Sequence, residues 1–406
     1  MKCRPGMFGS GGRVPWIARA WRARAIPPSP GFAFDPLEHP LMSPARDHLK
    51  AVRVSVVVPV HNGAELLREC LSALRASARP DTEIIVVDDG STDGSGCVAG
   101  RMAVRVLRLG KNLGPAAARN RGARSAKGEI LFFVDADVAV AADAVDRVVR
   151  GFEEHPDVAA LFGSYDDEPR AGGIVSPYRN LLHHFVHQSG RGEASTFWAG
   201  CGAIRRRVFQ DVGGFDERRY TKPSIEDIEL GRRLRQAGHR ILLDGALRGT
   251  HLKRWTLRSV LWTDFARRAV PWSRLIVETG TAPDDLNLNK SQRLSVALVA
   301  LAVLSAALCA VRLELAAVCG LALLGVALLN RRFYAFLYRK RGLAFASACL
   351  PLHFLYFLEG GLGYVYARVC ARQSVVAGQA RRIAGRAVRA FLSAWRTGSP
   401  PSRTGP

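Results

Sequence analysis

The segment Glu129-Ile-Leu-Phe-Phe-Val-Asp-Ala-Asp-Val138 decides how this chain is read. Five apolar strand formers, Ile130 to Val134, run without alternation and stop on two carboxylates, Asp135 and Asp137. Such a run reads as a strand covered on both faces, the pattern of a parallel sheet. In open α/β sheets, ligands sit outside the carboxyl ends of the strands. Two acids one residue apart at that end place hard oxygen donors where a divalent cation and a phosphate meet. The same residues also fit an ordinary helix start with Asp137 or Asp143 as N-cap, so the neighbouring segments have to decide.

Toward the N-terminus, Val52–Val60 (VRVSVVVPV) reads as a strand ended by Pro59 and turned by His61-Asn62-Gly63. Glu65–Arg75 carries Leu66, Leu67, Cys70, Leu71 and Leu74 at helical spacing. Glu83–Val87 is a second buried strand, and it ends in Asp88-Asp89-Gly90-Ser91. Strand, helix and strand, with acids at the second strand's end, open a doubly wound nucleotide-binding sheet. Val104–Leu107 adds a short strand, and Asn112–Gly128 a helix opened by Gly114-Pro115. Arg119 on that helix is placed to face a diphosphate, while Arg121 and Arg124 read as a solvated basic face.

Taken in order, PVHN, IIVVDDGSTDGS, KNLGPAAARNRGA and FFVDADV resemble glycosyltransferase family 2, and the likeness continues through GCGAIRRRVFQDVGGFDE and IEDIELGRRLRQAGH, from about Val52 to His251. The resemblance implies a GT-A fold: a Rossmann-like α/β domain with a mostly parallel central sheet flanked by helices. It implies a nucleotide-diphosphate sugar as donor, bound around Pro59, His61, Asn62, Asp89, Arg119 and Asp135. Asp89 would contact the base and Asp135 the ribose. Asp137, in a DXD pattern, would hold a divalent cation, Mg²⁺ or Mn²⁺, on the diphosphate. His61 stands where the family usually has an aromatic residue.

Transfer of a sugar from a diphosphate needs the leaving group stabilised and a base for the acceptor hydroxyl. Glu226-Asp227 opens a helix that carries Leu230 and Leu234 and stops at Gly238. Acids in a first turn also suit the helix dipole. The resemblance makes Asp227 the inverting base and Glu226 a supporting acid. In FWAGCGAIRR, Trp198 stacks on a sugar ring or packs in the core, two readings of equal weight. Gly200 and Gly202 would let a ligand approach the backbone. His183, His184 and His187 read as a surface feature of a helix and are left outside the site. Ile241–Leu243 is a further strand. His251-Leu-Lys-Arg-Trp255 resembles the Q-x-x-R-W element of polysaccharide-synthesising members, with His for Gln. There His251 completes the metal site or Arg254 holds the diphosphate, and Trp255 sits near the acceptor.

The 406 residues are 48% hydrophobic yet carry a net charge of +23. That pairing fits membrane-buried segments beside basic ones. Leu294–Val311 is apolar for about 18 residues, enough to cross a bilayer. Arg312 and Glu314 interrupt it before Leu315–Leu329. The two runs read as a hairpin, with the clusters at 330–332 and 339–341 on the cytoplasmic side. Trp262 to Trp272 reads as an interface helix. Leu343–Val369 is apolar but broken by Pro351, Glu359 and glycines, so it either crosses or lies in the interface. The tail beyond it is rich in Arg with no acid, and next to apolar segments this favours lipid over nucleic acid. The eight cysteines show no metal spacing and read as free thiols.

The expected organisation is therefore a basic arm at 1–50, a catalytic domain at 51–255, an interface segment at 256–290, transmembrane helices at 291–370 and a basic tail at 371–406. The expected protein is an inverting, metal-dependent glycosyltransferase at the cytoplasmic face of the inner or plasma membrane. Its expected partners are a nucleotide-diphosphate sugar, a lipid-linked or glycan acceptor and the bilayer, with no nucleic acid. A polyprenyl-phosphate glycosyltransferase is the enzymatic alternative. A non-catalytic sugar-nucleotide-binding membrane protein is the alternative of another class.

Overall fold

The computed structural model describes residues 54–397 except Arg191, with side chains described as far as residue 373. The basic arm expected at 1–50 lies outside the described residues.

The chain begins with β1 (Val54–Val60), α1 (Ala64–Ser77), β2 (Thr82–Asp88), α2 (Ser95–Arg101), β3 (Arg105–Arg108), α3 (Pro115–Ser125) and β4 (Ile130–Val134). Every residue of β1 and β4 is buried, as their unbroken apolar runs require. The four strands pair in parallel in the order β3-β2-β1-β4. α3 starts where Gly114 takes φ 94° and Pro115 occupies the first turn. A side chain at Gly114 would lie 2.4 Å from the Thr221 carbonyl oxygen, so only glycine fits that turn.

Beyond β4 the sheet becomes mixed. The chain continues through β5 (Val138–Val140), α4 (Ala144–Glu154), β6 (Val158–Tyr165), α5 (Val175–Ser189), β7 (Gly192–Glu193), β8 (Cys201–Arg205), α6 (Arg206–Asp211), α7 (Glu226–Gln236) and β9 (Arg240–His251). β8 runs antiparallel to β4 and β6, and β6 runs parallel to β9. The full order is β3-β2-β1-β4-β8-β6-β9-β5, with β7 on β9. The result is the α/β sheet with flanking helices that the sequence implies, parallel in its N-terminal half and mixed beyond it.

β9 corrects one expectation. The strand does not stop at Leu243 but extends to His251. Buried and more open residues alternate along it, the signature of a strand with one covered face. Its last residue pairs with Val138, beside Asp137.

After the sheet come α8 (Leu257–Trp262), a π-helical turn at Thr263–Ala269 and α9 (Val270–Thr279). Two apolar helices follow, α10 (Lys290–Leu308) and α11 (Leu315–Leu329), packed as a pair with Leu298 against Gly325. The last helix, α12 (Arg331–Thr397), breaks at Gly342, where φ is 80°. Among the described residues, two helices are long and apolar enough to cross a membrane, Lys290–Leu308 and Arg331–Gln373. Cys70, Cys201, Cys309, Cys319, Cys349 and Cys370 are free thiols, whereas Cys97, expected free, is disulfide-bonded.

Candidate active site

The site is assembled at the carboxyl ends of β1, β2 and β4. Pro59 sits inside β1 opposite Val87. Where β1 ends, Asn62 turns with φ 51°, and its side-chain oxygen accepts from the Thr92 N–H at 2.8 Å. His61 donates through Nδ1 to the Asp89 carbonyl at 2.8 Å. Asp89 is only 3% exposed, and its two carboxylate oxygens accept the N–H groups of Leu113 and Gly114, each at 2.8 Å. In this arrangement Asp89 braces the turn that opens α3.

Asp135 and Asp137 stand just past β4. The Asp135 backbone N–H is held by the Gly200 carbonyl, which ties the acid pair to the start of β8. Arg119, buried on α3, donates to Asp135 Oδ1 at 2.6 Å and to Glu226 Oε1 at 2.9 Å. Sequence reasoning aims Arg119 at a diphosphate. Its observed partners are two carboxylates, so it links the end of β4 to the start of α7. That role follows from burial: a guanidinium taken out of water needs charged partners. Arg121 is exposed, as expected.

At the start of α7, Glu226 Oε2 also accepts the Ser224 N–H at 2.9 Å. Asp227 accepts the N–H of Ile228 at 2.8 Å and that of Ala199 at 3.2 Å. Burial, and then the neighbouring Glu226, push the Asp227 carboxyl up to about 7, against the pull of Arg119. A carboxyl so placed shares its proton near neutrality, as a general base requires.

β9 delivers His251 to Asp137, with Nε2 3.6 Å from Oδ2. The spacing is too long for a hydrogen bond and suits two donors around one cation. Burial raises the Asp137 carboxyl, but His251 and then Lys253 outweigh it and leave the group below its ordinary value. Among the described residues no three metal-binding side chains cluster. A cation here would complete its shell with diphosphate oxygens and water, as Mg²⁺ commonly does.

Two expectations change at the next layer. Gly200 and Gly202 make room for protein: a side chain at Gly200 would meet the Trp198 ring at 2.6 Å, and one at Gly202 the Trp198 carbonyl at 2.2 Å. Trp198 packs among Tyr165, His183 and His187, with ring centroids 4.8, 4.5 and 5.5 Å away. The histidines are no surface feature. His184 and His187 are buried, and their Nδ1 atoms donate to the carbonyls of Tyr165 and Gly163. Burial pushes His187 down to about 4, so it is neutral at pH 7. Sequence reasoning also misses Tyr165, whose ring stacks on His251 at 4.5 Å and contacts His183 at 4.3 Å. Its only signal is an aromatic residue at a strand's end.

Arg254 is exposed, while Trp255 is buried, with Lys253 4.2 Å above its ring. Both Trp255 backbone groups bond to the Ser176 hydroxyl. Trp255 thus fixes β9's exit to α5.

Residues 55–213 match the sequence profile of Glycosyl transferase family 2. The chain is 37% identical over 125 residues to glycosyltransferase GlyG of Streptococcus pneumoniae, covering 30% of this chain and 41% of that one. It is 32% identical over 216 residues to the pre-mycofactocin glycosyltransferase of Mycobacterium tuberculosis, covering 50% and 44%. The chain thus spans less than half the length of these relatives. Among solved structures, the mannosyltransferase PcManGT from Pyrobaculum calidifontis, in complex with GDP-Man and Mn²⁺, is 20% identical, with a TM-score of 0.48 over 78% of this chain and 86% of that one.

Proposed function

Because the chain carries a glycosyl transferase family 2 domain, we propose that it moves a sugar, with inversion, from a nucleotide-diphosphate sugar to a hydroxyl of a glycan or lipid-linked acceptor. The observation that carries this reading is the Arg119 bridge. It sets Glu226 and Asp227 against the acid pair at the end of β4, so the proposed base adjoins the proposed diphosphate site.

Asp227 takes the proton of the acceptor hydroxyl. The freed oxygen bonds to the anomeric carbon from the side opposite the diphosphate. The carbon–oxygen bond to the diphosphate breaks, and the nucleoside diphosphate leaves with the electron pair. Glu226, fixed by Arg119 and the Ser224 N–H, holds the first turn of α7 in place and keeps negative charge beside Asp227. That charge favours proton capture. Asp137 and His251 would hold Mg²⁺ or Mn²⁺, which when bound neutralises charge on the leaving diphosphate. Asp135, the 61–62 turn and the loop braced by Asp89 would receive the nucleoside.

The apolar pair α10 and α11 supports a membrane location, with the sheet domain on the cytoplasmic side. This placement also suits a polyprenyl-phosphate acceptor, whose phosphate would lie at the headgroup level. A carboxyl raised to about 7 beside the acid pair favours catalysis over binding alone. Release of nucleoside diphosphate from a panel of nucleotide sugars tests the proposal. No release from any donor refutes it.

A further inference from the structure

We infer that the part of α12 after Gly342 does not cross the bilayer but lies in the plane of its cytoplasmic surface, where an apolar face enters the lipid and flanking cations meet anionic headgroups. This rests on the membrane placement of α10 and α11 proposed above.

Length and composition alone allow a crossing, since Arg331–Gln373 passes as an apolar helix of 43 residues. The contacts do not. The segment before Gly342 runs along α5, with Phe336 stacked on His184 at 5.7 Å and Lys340 paired with Asp167. Gly342 then reverses the chain. Ala346 and Cys349 join the core cluster that covers one face of the sheet, and His353 returns to the Tyr334 hydroxyl at 3.0 Å. Phe357 packs against Val299, midway along α10, and Val326 of α11. Gly363 then packs on the π-helical turn, where a side chain would meet Ala269 Cβ at 2.8 Å. Tyr366 lies under Arg274 of α9 at 5.7 Å.

That turn and α9 are themselves fastened to the sheet domain. Arg179 pairs with Asp264 at 2.9 Å, Ser224 donates to the Arg267 carbonyl at 3.0 Å, and Arg219 pairs with Glu278 at 2.7 Å. From Ala346 to Gly363 the helix advances about 26 Å at 1.5 Å per residue. A crossing would carry the far end through a hydrocarbon core about 30 Å thick. Instead both ends touch elements bound to the same domain, so the helix runs across that domain and along the membrane.

The surface pattern agrees. The inward stripe runs through Ala346, Cys349, His353 and Phe357 at three- and four-residue steps and resumes at Gly363 and Ala367. The outward face shows Leu343, Leu350, Leu362, Val365 and Val369. α10 and α11 expose apolar side chains as well, among them Leu304 and Leu321. Arg339 and Arg341 flank one end and Arg368 and Arg372 the other, all exposed. An apolar stripe bordered by arginines fits an anionic lipid surface. The basic tail then stays on the cytoplasmic side, as the positive-inside trend asks.

The test uses the full chain with Cys309, Cys319 and Cys370 changed to Ser, carrying either Arg312→Cys or Arg396→Cys. An impermeant maleimide is applied to intact and then permeabilised spheroplasts. The expected result is labelling of position 312 from outside and of position 396 only after permeabilisation. Labelling of position 396 from outside shows a crossing and overturns the inference. Position 312 silent until permeabilisation overturns it through its premise, the hairpin, while donor turnover measured on the same protein still reports the catalytic reading. In a second arm, Val365→Cys carries an environment-sensitive dye in vesicles of phosphatidylglycerol and phosphatidylcholine. Stronger quenching by lipid labels near the headgroup than by labels at the bilayer centre is expected, and the reverse contradicts the in-plane placement.

Discussion

Burial and Glu226 raise the Asp227 carboxyl from 3.8 to about 7, and two consequences follow at this one residue. A raised acid binds its proton more tightly in the folded state than in the unfolded state. Its contribution to stability is full below pH 4 and is lost as pH rises through 7, so above neutrality the folded protein carries an unfavourable charge. Asp227→Asn removes that charge. Thermal melts are expected to show a larger gain in Tm for the variant at pH 8 than at pH 5, and equal shifts would contradict the raised carboxyl. The same variant is expected to lower kcat by about 100-fold or more while leaving donor affinity nearly unchanged. Asp137→Asn should do the opposite. Calorimetry with manganese present is expected to show donor binding lost, because only His251 remains opposite the diphosphate; unchanged affinity would remove Asp137 from the metal site.

Among the elements, α7 depends on one close approach. A side chain at Gly231 would lie 2.3 Å from the Phe197 backbone nitrogen, so the helix rests directly on the 196–199 segment. That contact keeps Asp227 within reach of the Ala199 N–H. Gly231→Ala should push the helix outward at a cost of about 1–3 kcal/mol, as overpacking does. Denaturant unfolding and steady-state kinetics check this, and kcat is expected to fall more than donor affinity. Such contacts explain what the sequence shows and what it hides. β1, β2 and β4 are legible because unbroken apolar runs mark buried strands, and Asp89, Asp135 and Asp137 are legible because they end those runs. Arg119 is legible as important but not in its partners, since Glu226 lies 107 residues away. The burial of His184 and His187 is hidden for a similar reason. Their spacing on α5 fits either face, and only the packing of β6, β9 and α12 around α5 decides it. Gly200 reads as room for a ligand until Trp198 is seen folded against it.

For the whole molecule, the sheet domain, the hairpin and the last helix act as one assembly. Leu304, Leu308, Leu321 and Leu328 on α10 and α11 are each more than half exposed, and burying such side chains in lipid is worth roughly 1.5–3 kcal/mol for each one fully covered. The protein is therefore expected to stay with membranes through washes in high salt and alkaline carbonate, and release by salt alone would make these helices peripheral. The central claim is catalytic, and purified full-length protein in detergent with Mn²⁺ tests it most directly. Nucleoside diphosphate release is measured across a panel of nucleotide sugars, for the native chain and for Asp227→Asn. The account predicts release from at least one donor by the native chain, and a rate about 100-fold lower or less from the variant, which still binds that donor. A variant as active as the native chain, or no release from any donor, would contradict it.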